Sequence, residues 1–184
     1  MTATWLFRLP YGAMSRLRVL FYRCMGMTVG PRCRLENIRV RQPSQIKLGA
    51  YNALTEGCWL WPNDAEHDGY RIVIGEHNYF NRDVMIDACG SVRIGNQNMF
   101  GPGVYITDSN HTLAPGRPLG ECPMEIGEVV IGNGCWIGAG AKILKGVRLG
   151  DRCVVGAGAV VTKSFPEDSV AVGVPARLIS GREA

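Results

Sequence analysis

Aliphatic residues recur at every sixth position along much of this chain, and the beat is unbroken from Ile131 through Ile137, Ile143, Leu149 and Val155 to Val161. Gly132, Gly138, Gly150 and Gly156 directly follow their aliphatics, while Cys135, Ala141, Val147, Cys153 and Ala159 fill the fourth place after them. A helix repeats every 3.6 residues and a free-standing strand every two, so a period of six predicts a stacked repeat. The same beat starts faintly at Val29 and Leu35, resumes at Leu48, Leu54 and Leu60, and restarts at Ile74 and again at Ile94. Each restart pairs an aliphatic with glycine (Leu48-Gly49, Ile74-Gly75, Ile94-Gly95, Ile131-Gly132, Leu149-Gly150). Three hexapeptides therefore make one coil, and about five to six coils stack. Three short strands per coil, each turning one side chain inward, build a triangular prism around an apolar column.

Insertions into such a prism leave at corners, because an extra residue inside a strand would turn every later side chain over. Three are visible: Trp61 to Val73, a small excess near Gly90 and Ser91, and Thr107 to Val130. The last, loop 107–130, is where chemistry is expected, since loops on a rigid scaffold commonly carry function. Beyond Lys163 the beat stops, and the remainder reads as a short strand, a turn at Gly173 to Pro175 and a tail. Ahead of the repeat, Met14, Leu17, Leu20, Phe21 and Cys24 recur at helical spacing, with Arg16 and Arg23 opposite and Pro10 and Gly26 as limits. The apolar face of this helix is expected to cap the open end of the repeat, or to lie on a membrane with its arginines toward lipid phosphates; the two uses are compatible. The organisation expected is a basic amphipathic segment (1–28), the repeat (29–165) and a strand with a tail (166–184).

Composition adds three constraints. The 184 residues suit one domain, and 24 glycines fit a chain of tight corners with little helix. The net charge of +4 hides an asymmetry: residues 1 to 47 hold nine Lys or Arg against Glu36 alone. Such an end suits an anionic membrane surface, a phosphate-bearing substrate or nucleic acid, or is a solvated rim; the reading adopted has no nucleic-acid partner. Seven cysteines, an odd number without CxxC pairs, and no clean secretory signal indicate a reducing, cytoplasmic setting, at the inner face of the membrane if the basic segment (residues 5–25) docks there. Cys33, Cys58, Cys135 and Cys153, all in the fourth place after an aliphatic, read as small buried hydrophobes, and no zinc site is expected.

The hexapeptides resemble those of the left-handed parallel β-helix proteins. Their handedness is implied by that resemblance, since strand sterics alone favour right-handed crossovers. With TDSNH, a loop ending in GE, VVIGNGCWIG, VVGAGAVVTK and VGVPAR in that order, residues 26 to 180 resemble the acetyl-CoA-dependent O-acetyltransferases related to galactoside and maltose acetyltransferases. The short basic amino terminus is more similar to members acting in exopolysaccharide or colanic-acid synthesis. The resemblance implies direct acetyl transfer from acetyl-CoA to a sugar or glycan hydroxyl, without a metal, in a homotrimer whose sites lie between neighbours.

His111, in TDSNH, stands where that family carries its catalytic histidine, and an imidazole suits proton removal from a hydroxyl near neutral pH. His67 and His77 read as surface residues. Asp108 and Glu121 are candidates to orient the imidazole or the acceptor, and Asn81 and Asp87 match the family's acceptor-facing pair; hydrogen bonding at corners is the alternative. The resemblance sets Trp136 beside the pantetheine arm, the backbone of Ala139 and Ala157 against its amides, and Thr162, Lys163 and Arg177 near the phosphates. Other readings are N-acetylation of an amino sugar, a non-catalytic scaffold binding through its basic arm, and a zinc prism of the carbonic-anhydrase type. Histidines 67, 77 and 111 lack the close pair which that last site needs.

Overall fold

A computed structural model describes residues 3–63 and 69–181. Among the described residues there is one α-helix, α1 (Ala3–Cys24), followed by short strands that stack into three faces, a left-handed parallel β-helix. The first face carries Thr28–Val29, Ile46–Leu48, Ile72–Ile74, Val92–Ile94, Val129–Ile131 and Arg148–Leu149. The second carries Arg34–Leu35, Ala53–Leu54, Tyr79–Phe80, Met99–Phe100, Trp136–Ile137 and Val154–Val155. The third carries Arg39–Val40, Trp59–Pro62, Met85–Ala88, Tyr105–Thr107, Lys142–Ile143 and Val160–Val161. Every pairing within these six coils is parallel and in register, so that Ile74 lies over Leu48 and Ile94, and Ile94 over Ile131. The aliphatics of the six-residue beat, with Phe80 and Phe100 stacked at 4.5 Å, form the buried column.

The fourth place holds more than small apolar residues. At the corner between the first and second faces it is occupied in turn by Cys33, Asn52, Asn78, Asn98, Cys135 and Cys153. The three asparagines are buried, and each amide oxygen accepts the backbone N–H one coil on: Asn78 to Asn52, Asn98 to Asn78 and Cys135 to Asn98, at 2.9, 2.9 and 2.7 Å. A buried polar group is tolerated when its bonds are made, and the coil repeat delivers the partner automatically. Cys58, Cys135 and Cys153 are buried as expected, but Cys33, in the terminal coil, is only half-buried because no further coil covers it. Burial pushes the Cys58 thiol up to about 11, which makes it a packing group.

Three expectations need correction. α1 does not start at Pro10 but runs through it, since an internal proline removes one helical hydrogen bond without obliging the chain to break. Its apolar stripe does not cap the prism: Met14, Leu17, Leu20 and Phe21 are all about half exposed or more, at 48, 59, 59 and 57 %. The capping face is Ser15, Val19, Tyr22 and Arg23. The first coil presents unpaired backbone groups, which need polar partners. Ser15 Oγ accepts the Leu35 N–H, Tyr22 donates to the Ile38 carbonyl, and Arg23 donates to the carbonyls of Val29 and Gly30. At the other end the expected tail is a strand: Ser169–Val172 continues the second face and pairs antiparallel with Arg177–Gly181.

Coil-on-coil spacing leaves no room for a side chain at the glycine after each first-face aliphatic. A Cβ on Gly95 would lie 2.6 Å from Asn133 Oδ1 and 2.7 Å from the Gly132 carbonyl oxygen, whereas Gly120 has open space around it. Gly95→Ala is therefore expected to cost about 1–3 kcal/mol in denaturant unfolding, and Gly120→Ala to leave the midpoint where it was; equal midpoints for both variants would contradict this packing.

Candidate functional site

The second face meets the third at a corner that differs from its neighbours. At the corner between the first and second faces the left-handed positions are filled by Arg32, Tyr51, His77, Gln97 and Arg152, with Gly134 the exception. Between the second and third faces the corresponding residues Gly57, Gly103, Gly140 and Gly158 are glycine, with Asp83 the exception. A Cβ at Gly103, Gly140 or Gly158 would meet nothing within 4 Å, so this edge is bare.

A groove of about 460 Å³ runs along this edge. Trp136 stands on one side, 58 % exposed, with Tyr79 and Met99 above it on the same face and Ala139 and Ala157 at the corner. The groove's backbone bonding is incomplete. At the first corner three residues that follow a glycine donate their N–H to a side-chain ladder: Glu76 to Asn96, Asn96 to Asn133 and Asn133 to Asp151, at 2.7 to 2.8 Å. Along the groove, Arg82 donates to Asn81 Oδ1 at 2.8 Å and Pro102 has no N–H. Among the described residues the N–H groups of Ala139 and Ala157 have no protein acceptor. Two donors one coil apart, roughly 4.8 Å, beside an exposed indole and with no side chain in the way, suit an extended ligand carrying amide carbonyls. The residues present thus fit a pantetheine arm.

Trp136, Ala139, Ala157 and Asn81 are brought together in this groove. Tyr79, Met99 and Pro102 also line it and were not singled out in the sequence; their register beside Asn81, Trp136 and Ala139 is the signal that identifies them. Thr162 and Lys163 are exposed just past Val160–Val161, outside the groove lining, with Lys163 Nζ 5.7 Å from the Phe165 ring centroid. Arg177 opens the last strand, next to a turn tied to Val160 by backbone bonds from Val160 to Gly173 and from Ala176 to Val160.

The loop 107–130 is an arm built on an antiparallel pair, Ser109–His111 with Met124–Ile126, and a 3-10 turn at Leu119–Glu121. His111 sits opposite Met124 and is exposed, outside the groove lining of its own chain. Asp108 is not free to orient it. Its carboxylate is fully buried and accepts the N–H groups of Cys89 and Gly90 at 2.8 and 2.7 Å, while its carbonyl accepts Gly127 N–H. Asp108 thus clamps the arm's two legs to the small insertion at Gly90. Glu128 reinforces the base by pairing with Arg93 and Arg148. Glu121 lies exposed on the 3-10 turn. His67 lies outside the described residues.

Asp87 is on the third face, not in the groove with Asn81, so the two are separated by a corner. It accepts bonds from Asn63 Nδ2 and the Tyr105 hydroxyl, and Asn63 in turn accepts Arg41. Burial pushes its carboxyl above the usual aspartate value of 3.8, with the neighbouring Asp108 adding to the effect, although Tyr105 and Arg41 oppose it. Among the described residues no group of His, Cys, Asp and Glu could hold a metal ion, and no helix is long and apolar enough to cross a membrane.

Residues 128–163 match the family described as bacterial transferase hexapeptide (six repeats). Over 141 residues the chain is 33 % identical to a galactoside O-acetyltransferase of Lactococcus lactis, covering 74 % of this chain and 67 % of that one. It is 35 % identical over 116 residues to WbbJ of Escherichia coli, a putative lipopolysaccharide biosynthesis O-acetyl transferase, covering 59 % of each. A solved structure of galactoside acetyltransferase in complex with coenzyme A superposes with a TM-score of 0.60 at 25 % identity, over 85 % of this chain and 65 % of that one.

The Asp87 environment makes a pH prediction. A carboxyl with a raised folded-state pKa contributes stability below its unfolded value and loses it as pH rises through the folded pKa. In parallel melts from acid to neutral pH, the stability of Asp87→Asn relative to wild type is expected to rise across that titration; a difference independent of pH would show that burial does not perturb Asp87.

Proposed function

Because the chain belongs to the hexapeptide-repeat acetyltransferases, we propose that it moves acetyl from acetyl-CoA to a hydroxyl of a sugar or glycan precursor. The observation that carries this reading is the pair of unpartnered N–H donors at Ala139 and Ala157 on the groove beside Trp136. They meet the pantetheine amides, and Trp136 covers the arm. Lys163 and Arg177, with Thr162, take the phosphates, as guanidinium and ammonium groups do well.

His111 is the general base in this proposal. Its imidazole accepts the hydroxyl proton as the acceptor oxygen attacks the thioester carbonyl; the carbon–sulfur bond breaks, and the leaving thiolate takes the proton back. No acyl-enzyme forms. His111 does not line its own chain's groove, so the site is completed when the arm of one protomer reaches the groove of the next, in a homotrimer. A sugar acceptor is supported by the galactoside O-acetyltransferase likeness, and a polymeric or lipid-linked one by the likeness to WbbJ and the basic amino terminus. Asp87, with Asn63 and Tyr105, offers acceptor-facing polar groups on the third face.

His111→Ala is expected to lower thiol release from acetyl-CoA about a hundredfold or more, while coenzyme A affinity in calorimetry stays the same. Trp136→Ala should do the reverse, weakening coenzyme A binding. Wild-type turnover in the histidine variant would overturn the base assignment. Faster release with amino sugars than with their hydroxyl analogues would move the reaction to N-acetylation.

A further inference from the structure

The helix α1 has two faces that its sequence does not separate. At 100° per residue, Ser15, Val19 and Tyr22 share one side, and these residues pack on the first coil. On nearly the opposite side lie Met14, Leu17, Leu20, Phe21, Cys24 and Met25, all exposed, a continuous apolar stripe of three turns. A single exposed apolar residue is ordinary, but a contiguous stripe marks a contact surface. Arg16 borders the stripe on one edge and Arg18 on the other.

On the Arg16 edge, α1 and the first coil enclose a cleft of about 720 Å³ whose lining includes Arg16, Arg23, Arg32 and Arg34 and no acid. Arg23 is spent on the carbonyls of Val29 and Gly30, Arg32 donates to the Tyr51 hydroxyl, and Arg34 pairs with Glu36. Glu36 is the sole acid in the first 47 residues, so the cleft keeps a strong positive excess.

We propose that this end of the molecule docks on an anionic phospholipid bilayer, with the α1 stripe lying in the interfacial zone and the arginine cleft taking headgroup phosphates. An apolar helix face edged by arginines is the arrangement that binds such a surface in the plane of the membrane. A second copy of the chain is a poorer occupant: it would bring two strongly basic ends together, and nothing on either would neutralise them. The docking surface is remote from the groove corner and stands independently of the acetyl-transfer reading. If both hold, the prism is anchored at its first coil and the groove lies on the later coils, away from the docked end.

The test is co-sedimentation of the full chain with vesicles of phosphatidylcholine alone or mixed with phosphatidylglycerol. Binding is expected to the mixed vesicles only and to fall as salt is raised. Leu17→Glu with Leu20→Glu and Phe21→Glu should lower the bound fraction about tenfold or more, and Arg16→Ser with Arg18→Ser about tenfold. These side chains are exposed or at the edge of the helix, so the unfolding midpoint and the oligomer mass should be those of wild type. Unchanged vesicle binding in either variant would overturn the proposal, as would equal binding to neutral vesicles. A smaller oligomer in the stripe variant would also overturn it and assign the stripe to contacts between copies.

Discussion

The structure depends on one constraint: each coil's backbone is bonded to the coils beside it, with residues matched one to one from rung to rung. Parallel strands of two or three residues have almost no stability singly, and only the stack makes them permanent. The inward aliphatic, the glycine after it and the small fourth residue all follow from holding coils one strand spacing apart. So does the asparagine column, whose side chains repeat on the inside the bonds that the strands make on the faces. The ends are the places where the constraint is unmet, and α1 and the final antiparallel pair supply the missing partners.

This explains what the sequence reveals. Residues bound by the rung spacing announce themselves by period, and the aliphatics from Val29 to Val161 are buried as their spacing requires. Corners where insertions leave are equally plain, because the beat must pause there. The cap is not legible, since hydrophobic patterning assumes that an inward helix face meets apolar surface. The first coil instead offers backbone donors and acceptors, so Ser15, Tyr22 and Arg23 turn inward and the leucines outward. The sequence shows five apolar residues at helical spacing, but not which of two surfaces they serve.

The site divides in the same manner. Trp136, Ala139 and Ala157 lie on the unbroken part of the repeat, and their meeting in one groove follows from register alone. The arm does not obey the period, and Asp108 shows the cost. An aspartate three residues from a candidate base invites a catalytic role, yet its carboxylate closes a loop eighteen residues back in the chain, at Gly90. That partner is fixed by the fold. Even so, the small excess near Gly90 and the long arm are adjacent insertions in space, and one buried side chain joins them.

The Asp108 clamp also makes the arm a self-contained module. Both legs are fastened where they leave the prism, by the Asp108 carboxylate and the Gly127 N–H, and the rungs resume at Val129 in register with Val92. Whatever lies between those fastenings, its length, its turns and the residues at its tip, can drift or be exchanged without shifting a single coil. Rewriting the eighteen residues 109–126 between those fastenings would leave the groove wall of Trp136, Ala139 and Ala157 in place, because that wall belongs to rungs outside the arm.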